Sequence, residues 1–278
     1  MRYTTLSSSD ELRSRIYDGE LLLLHANEAS MGFASALFGR VVERLGDNPR
    51  KAHDHHTGEE IFSQVCAIRE ELHHDPIWLD RFATLVASLE LDPSGLRVDP
   101  PRLRGIQHNG HLIEAAAPAY YAHRDTWYGN PSAQINVWIP LHDVEEESTF
   151  VFYPSCFATP VNNDSAELDR EEFVRRAGFK DGTSRGVVYP RATADVSHLE
   201  RVGFSAKAGD ILLFSAAHLH EPRRNTTRLI RFSVDMRMVH VADHLSGRGA
   251  PNVDNGSIET SFDNYRPLPS TKLASAQP

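Results

Sequence analysis

The sequence predicts an α+β domain with a mainly β core, a barrel or jelly roll that carries helices on its outside. Three observations predict it. Apolar residues recur at helix spacing through the first third of the chain. The texture changes near Leu96 to short alternating segments, and the polar faces of those segments carry residues of metal-binding type. Alternating strands also suit an open sheet with its polar face in water. Histidine, aspartate and arginine on the polar faces of three separate segments favour the closed form, with its apolar outside under helices and a polar cavity inside.

A chain of 278 residues is within the range of one large domain and needs no disulfide or structural metal to fold. A net charge of −9 argues against a general nucleic-acid binder. The two cysteines, Cys66 and Cys156, form no C-x-x-C pair and read as reduced thiols of a cytoplasmic protein. No apolar signal-peptide core follows Met1, and the run 21–24 is too short for a bilayer. The expected partners are therefore small molecules, with no membrane or nucleic acid; a homo-oligomer is allowed.

Met31, Ala34, Phe38, Val41, Val42 and Leu45 predict one amphipathic helix, and Ile61, Val65, Ile68 and Leu72 a second. Ile77, Phe82, Val86 and Leu89 predict a third, started by Asp75-Pro76. Pro93, Gly95 and Pro100-Pro101 then break the pattern. Residues 1–96 read as helical support and 97–245 as the β core. An insert near 160–200 contains a helical stretch at 165–176 and a long loop at 181–197. Residues 246–278, rich in Gly, Pro, Ser and Asn, read as a C-terminal loop whose last dozen residues form a loose tail. Nothing resembles a linker or an internal repeat, so one domain is expected.

Strand parity sorts the polar residues. In 134–139, Gln134, Asn136 and Trp138 share one face, and Ile135, Val137 and Ile139 the other. In 229–238, Arg231, Ser233, Asp235 and Arg237 oppose Ile230, Phe232, Val234, Met236 and Met238. Tyr121, His123 and Asp125 also share a face.

His123-Arg124-Asp125 is the chemically informative triplet. Two residues apart on a strand, His123 and Asp125 project the same way and can join a second histidine on one face of an iron(II) ion. A second H-x-D, His73-His74-Asp75, reads as a solvent-facing turn between helices, and His53, His55 and His56 as exposed loop histidines. The first triplet differs by context: an apolar-aromatic run at 118–121 precedes it and Trp127-Tyr128-Gly129-Asn130-Pro131 follows. For the partner histidine, the turn Ala208-Gly209-Asp210 leads into the apolar strand 211–214 and then His218-Leu219-His220. Parity does not choose between the two histidines. Arg231 and Arg228 compete as a forked clamp for a carboxylate.

Segments 118–160 and 203–239 resemble the phytanoyl-CoA dioxygenase-like branch of the iron(II)- and 2-oxoglutarate-dependent oxygenases. The resemblance is carried by Tyr121-Ala122-His123-Arg124-Asp125-Thr126-Trp127-Tyr128 and by the strand Gln134 to Leu141. It continues in Gly209-Asp210 through His220, Asn225 and Arg231-Phe232-Ser233. It selects His220 over His218 and Arg231 over Arg228. It implies a double-stranded β-helix that holds iron(II) through His123, Asp125 and His220. It further implies 2-oxoglutarate chelating the metal with its far carboxylate on Arg231, and Gln134 and Asn136 as further co-substrate contacts. Oxygen is the other co-substrate, hydroxylation the default outcome, and succinate and carbon dioxide the by-products. Related halogenases replace the carboxylate ligand by a small residue, and Asp125 argues against that chemistry.

Thr126, Trp127 and Tyr128, with Tyr121 before them, are expected at the substrate rim, where Trp127 and Tyr128 equally suit ordinary barrel-end packing. Arg102, Arg104, His108, Arg223, Arg224 and Arg237 are candidates for positive charge near the mouth that suits an acidic or phosphorylated metabolite, weighed against a role as surface ions. A polar small metabolite, sugar-like or amino-acid-like, is the expected substrate, and no residue points to a coenzyme A thioester. Two alternatives share the motif. One is a non-catalytic ligand-binding β-helix protein. The other is a zinc hydrolase with Glu221 as base, although Glu221 on a strand should point away from the metal.

Overall fold

The computed structural model describes residues 1, 3–5, 8–176, 187–257 and 262–269. Its helices begin where local hydrogen bonding can satisfy the first free N–H groups. Helix α1, Ser9–Tyr17, is capped by Ser8, whose hydroxyl accepts from the Glu11 amide. The run 21–24, noted in the sequence only as too short for a membrane, contributes strand β1, Leu22–Leu24. Helix α2, Glu28–Leu45, starts with a reciprocal capping box between Asn27 and Ser30. Helix α3, Gly58–His74, has the same device between Thr57 and Glu60, and α4, Pro76–Ser88, is capped by Asp75 with Pro76 in its first turn.

The three expected helices are present, but the buried stripe of α2 is rotated. It runs through Phe33, Ala34, Leu37, Val41 and Leu45, while Met31 is 40% exposed. Phe33 and Leu37 extend the same i, i+4 row, so the neglected register buries more area.

Strand β2, Leu96–Ile106, opens the strand-rich part, followed by β3, Gln134–Pro140, and β4, Phe150–Phe152. The expected helical insert is a 3₁₀ turn at Ser165–Glu167 and the helix α5, Arg170–Arg176. Residues 187–197 of the expected long loop contain no helix or strand, and 181–186 lie outside the described residues. The chain continues through β5, Ile211–Ser215; β6, His220–Pro222; β7, Arg231–His240; helix α6, Val241–Leu245; and β8, Arg266–Pro267.

The strands form two antiparallel sheets, a six-stranded one in the order β1-β5-β3-β7-β2-β8 and a pair β4-β6. One face of the large sheet offers Ile135, Val137, Leu213, Val234 and Met236 to Leu37, Val41, Val65 and Phe82 of the helices. The other face meets the small sheet through an aromatic cluster of Trp138, Phe150, Phe152, Phe204 and Phe214. The polar half of that inner face, on β2, β3 and β7, holds the candidate site.

Two turns position it. Gly209 has φ +79, and a Cβ there would lie 2.5 Å from the Met31 sulfur, so a side chain is both strained and obstructed. Beside it, the Asp210 carboxylate accepts from the Ala26 and Lys207 amides at 2.9 and 2.7 Å and from the Tyr3 hydroxyl at 2.5 Å. The Gly-Asp turn thereby anchors the start of β5, which leads to the two histidines. Asn225 is fully buried and shapes the β6–β7 turn, donating to the carbonyls of Ile106 and Leu229 at 2.8 and 2.7 Å.

The C-terminal loop is anchored to the core ahead of the expected loose tail. Ala250, Tyr265 and Leu268 are buried, and β8 pairs with β2. Composition does not reveal this anchoring, because the segment is held by a buried ion pair and a tyrosine hydrogen bond rather than by an apolar stripe. Residues 258–261 and 270–278 of this segment lie outside the described residues. No helix among the described residues is long and apolar enough to cross a membrane.

Candidate metal centre

His123, Asp125 and His220 each place one ligand atom within 4.8 Å of the others. The geometry does not come from strand alternation alone. His123 forms a single antiparallel bridge with His220, Arg124 remains extended, and Asp125 already opens a 3₁₀ turn, Asp125–Tyr128. The bridge sets the histidine rings 4.4 Å apart, and the turn aims the carboxylate back toward them.

Both histidines are oriented for metal binding by their far nitrogens. Nδ1 of His123 lies 2.8 Å from the Tyr121 carbonyl, and Nδ1 of His220 lies 3.0 Å from the His218 carbonyl. A carbonyl only accepts, so each Nδ1 carries the proton and each Nε2 offers its lone pair toward Asp125. Burial and then the nearby His220 push the His123 imidazole down to about 4, and burial also lowers His220. Both rings are neutral, the form a metal requires.

Asp125 is held by a chain of amides. Its Oδ2 accepts from Asn136 Nδ2 at 2.6 Å and from Gln134 Nε2 at 3.3 Å. Gln134 also donates to Asn136 Oδ1 at 2.7 Å, and its own Oε1 accepts from the hydroxyl of Tyr265. The hydroxyl fixes which way the first amide points, and that amide fixes the second. The other carboxylate oxygen, Oδ1, lies 3.7 Å from His123 Nε2 and 3.6 Å from Arg237. Burial alone would raise this carboxyl, but Arg237, the two histidines and Asn136 outweigh it and hold it down to about 2. Gln134 and Asn136, expected at the co-substrate, bond to the metal-site carboxylate itself.

Arg124 turns away from the cavity and is 1% exposed. It pairs with Asp254 at 3.1 Å and donates to the carbonyls of Ala217, Cys156 (2.6 Å), Thr159 (3.0 Å) and Phe157 (3.4 Å). Asp254 also accepts from the Trp127 indole at 2.8 Å and the Val161 amide at 2.9 Å. No local pattern marks this anchor, because Asp254 lies in a segment of loop composition 130 residues away.

Arg231 is buried on the same inner face, its guanidinium 5.9 Å from the Trp138 ring centroid, with Nη1 donating to the Ser148 carbonyl at 3.0 Å. Burial lowers it to about 10, so it remains charged at neutral pH. Its Nε and the Ser233 hydroxyl, two positions along the strand, are buried without a hydrogen-bond partner among the described residues. Unpaired buried donors side by side suit an anionic group between them, such as the far carboxylate of a chelating dicarboxylate. Arg228 sits exposed in a turn with φ +59.

The expected rim is corrected in part. Trp127 is fully buried behind the site against Val151, Tyr153 and Leu219, and Thr126 is also fully buried. Tyr128 does reach the centre, its ring edge-on to His123 at 5.6 Å and its hydroxyl on the Pro190 carbonyl at 3.2 Å. Tyr121 lies under Arg191 in a separate groove that Glu221 also lines. Glu221 accepts from the Tyr153 hydroxyl at 2.6 Å. Of the expected mouth charges, Arg237 approaches Asp125, Arg104 pairs with Asp235, and Arg223 pairs with Glu146. His218 turns to the Gly19 carbonyl at 3.1 Å, away from the triad. His73, His74, His53 and His55 are exposed, as expected, whereas His56 is half-buried.

The phytanoyl-CoA dioxygenase family model matches residues 42–233. None of the curated proteins compared matches the chain. Among solved structures, the chain is similar to the non-heme alpha ketoglutarate dependent epimerase SnoN from nogalamycin biosynthesis, at 16% identity over 94% of this chain and 98% of that one, TM-score 0.45. It is similar to EctD from S. alaskensis, crystallised with 2-oxoglutarate and 5-hydroxyectoine, at 13% identity over 92% and 90%, TM-score 0.49. EvdO2 from Micromonospora carbonacea var. aurantiaca gives 11% identity over 86% and 94%, TM-score 0.48.

Two outcomes follow from these geometries. His220→Ala abolishes iron(II) binding in equilibrium dialysis, whereas His218→Ala retains it; equal loss from both would reverse the assignment. The metal-free protein also loses stability on acidification. Burial pushes His142 and His218 from the ordinary 6.5 down to about 4, so the unfolded chain takes up their protons first. Their contribution is fully present above about 6.5 and is lost as pH falls toward 4. The urea midpoint should fall across that window, and a flat midpoint would contradict it.

Proposed function

Because the chain belongs to the phytanoyl-CoA dioxygenase family, and with it to the iron(II)- and 2-oxoglutarate-dependent oxygenases, we propose that it hydroxylates an unactivated C–H bond of a small polar metabolite, releasing succinate and carbon dioxide. One observation carries the reading: a triad of two neutral histidines and one carboxylate shares an inner face with the unpaired donors of Arg231 and Ser233. The whole chain is read as a single oxygenase domain. Its two sheets are read as the two layers of a double-stranded β-helix, with residues 1–96 as its outer support. A cytoplasmic protein that engages neither nucleic acid nor membrane fits the same reading.

His123 Nε2, His220 Nε2 and Asp125 Oδ1 would hold iron(II), and Arg231 with Ser233 would receive the far carboxylate of 2-oxoglutarate. Bound together, the metal and co-substrate supply oxygen activation coupled to oxidative decarboxylation. The protein's own residues prepare that chemistry. Asn136 and Gln134 occupy Oδ2 of Asp125, which favours binding through the single remaining oxygen. Three protein ligands leave positions for a chelating anion and oxygen. Phe150 and Tyr128 pack against the histidine rings and exclude water from that side. The presence of Asp125 supports hydroxylation over halogenation.

A zinc hydrolase would need a base beside the metal. Glu221 is bonded to Tyr153, and its strand neighbour His220 takes the metal side, so no base is offered there.

Aerobic incubation with iron(II) and 2-oxoglutarate should yield succinate, even without substrate at a slow uncoupled rate. Arg231→Ala should raise the 2-oxoglutarate KM at least about tenfold through loss of a charge-assisted contact. Absence of succinate with every candidate substrate, together with unchanged 2-oxoglutarate binding in Arg231→Ala, would sink the oxygenase reading.

A further inference from the structure

Strand β2 contains a bulge. Its register with β7 pairs Asp99 with Arg237 and Arg102 with Asp235, so Pro100 and Pro101 together oppose a single residue. Prolines lack the N–H that a ladder needs, and an adjacent pair favours an irregularity at this point. The consequence is a change of face. Three residues apart on a regular strand, Asp99 and Arg102 would point to opposite sides. With the bulge, both stand on the side of Asp235 and Arg237, the inner face that also carries Arg231.

Charges on this face do not balance. Arg102 lies 2.7 Å from Asp99, and Arg237 lies 3.4 Å from the same carboxylate oxygen. Asp235 is already paired with Arg104. Arg237 has a second carboxylate neighbour, Asp125 at 3.6 Å, but Asp125 is a ligand of the proposed metal. In the loaded site, iron(II), the 2-oxoglutarate dianion, Asp125 and Arg231 sum to neutrality. Two guanidinium groups then share Asp99, and one positive charge has no counter-ion.

Arg102 is the member of the pair able to meet a ligand. Its side chain is 46% exposed, against 18% for Arg237, although it stands on the inner face. Among the described residues Asp99 is its one ion-pair partner, and most of its forked donors remain free. Through Asp99 and Arg237 it is also tied to the carboxylate that faces the metal.

Resting on the oxygenase reading, we propose that Arg102 is the docking point for an oxyanion of the substrate, a carboxylate or a phosphate. The substrate is then an anionic metabolite whose acid group sits on Arg102 while a carbon some bonds away meets the metal. Asp99 holds the guanidinium in place, and the Pro100-Pro101 bulge puts both on the inner face.

The test uses the full chain loaded with manganese(II), a paramagnetic ion that does not turn over, and saturated with 2-oxoglutarate. Metal and 2-oxoglutarate binding are measured first; their failure counts against the oxygenase reading. In that case the same anions are titrated calorimetrically, a readout that needs no metal, where binding weakened by Arg102→Gln supports the proposal and no binding overturns it. The probes are inorganic phosphate, followed by ³¹P relaxation, and acetate and neutral acetamide, followed by methyl ¹H relaxation. The expected result is saturable relaxation enhancement for phosphate or acetate and none for acetamide. Whichever anion responds more strongly identifies the acid group. Arg102→Gln should weaken that binding about tenfold and Arg102→Lys should restore part of it, with 2-oxoglutarate affinity unchanged. Equal enhancement by acetamide, no anion enhancement at all, or an enhancement that persists in Arg102→Gln would overturn the proposal.

Discussion

The buried ion pair between Arg124 and Asp254 is the constraint on which the rest of the site depends. A guanidinium sealed from water is tolerable only when its charge is neutralised and its donors are filled. Asp254 does the first, and four backbone carbonyls do much of the second. Those carbonyls belong to residues 156–159, beside the small sheet, and to Ala217, just before His220. The residue between the first histidine and the carboxylate is therefore also the tie that draws the second histidine's strand alongside. Removing either member of the pair would leave an uncompensated charge in the interior, and the cost would fall on the geometry of the triad.

A second constraint acts on the carboxylate itself. Tyr265, brought in from the C-terminal segment, donates to Gln134 and so sets the direction of two amides in series. Both amide groups then present N–H to one oxygen of Asp125 and leave the other facing the histidines. The neighbouring Arg237 keeps this carboxylate ionised while the histidines stay neutral. Each group is thus in its metal-binding protonation state before any ion arrives, which lowers the reorganisation needed on binding.

Much of this was legible in the sequence where a local pattern has a local cause. The three amphipathic helices and the polar face Arg231-Ser233-Asp235-Arg237 follow from spacing, whereas His123 and Asp125 come together through a bridge and a 3₁₀ turn that spacing does not show. Choosing His220 over His218 needed the family resemblance, since parity left both open; the structure separates them because His218 lies in the turn before β6. What escaped were long-range pairs between residues of unremarkable context. Arg124 with Asp254, Tyr265 with Gln134, and Asp99 with Arg237 join segments that no periodicity connects. The rim residues Thr126 and Trp127 were misplaced for a related reason. The 3₁₀ turn at Asp125 breaks strand alternation, so parity beyond it no longer reports which way a side chain points.

The most direct measurement is an anaerobic titration of 2-oxoglutarate into the iron(II)-loaded protein, followed by visible absorption. Two neutral histidines and an ionised carboxylate with open metal positions, and a waiting Arg231, predict stoichiometric chelation, seen as a new charge-transfer band that is absent without iron. A protein that binds 2-oxoglutarate equally well without the metal, or that develops no band on saturation, would contradict the assignment.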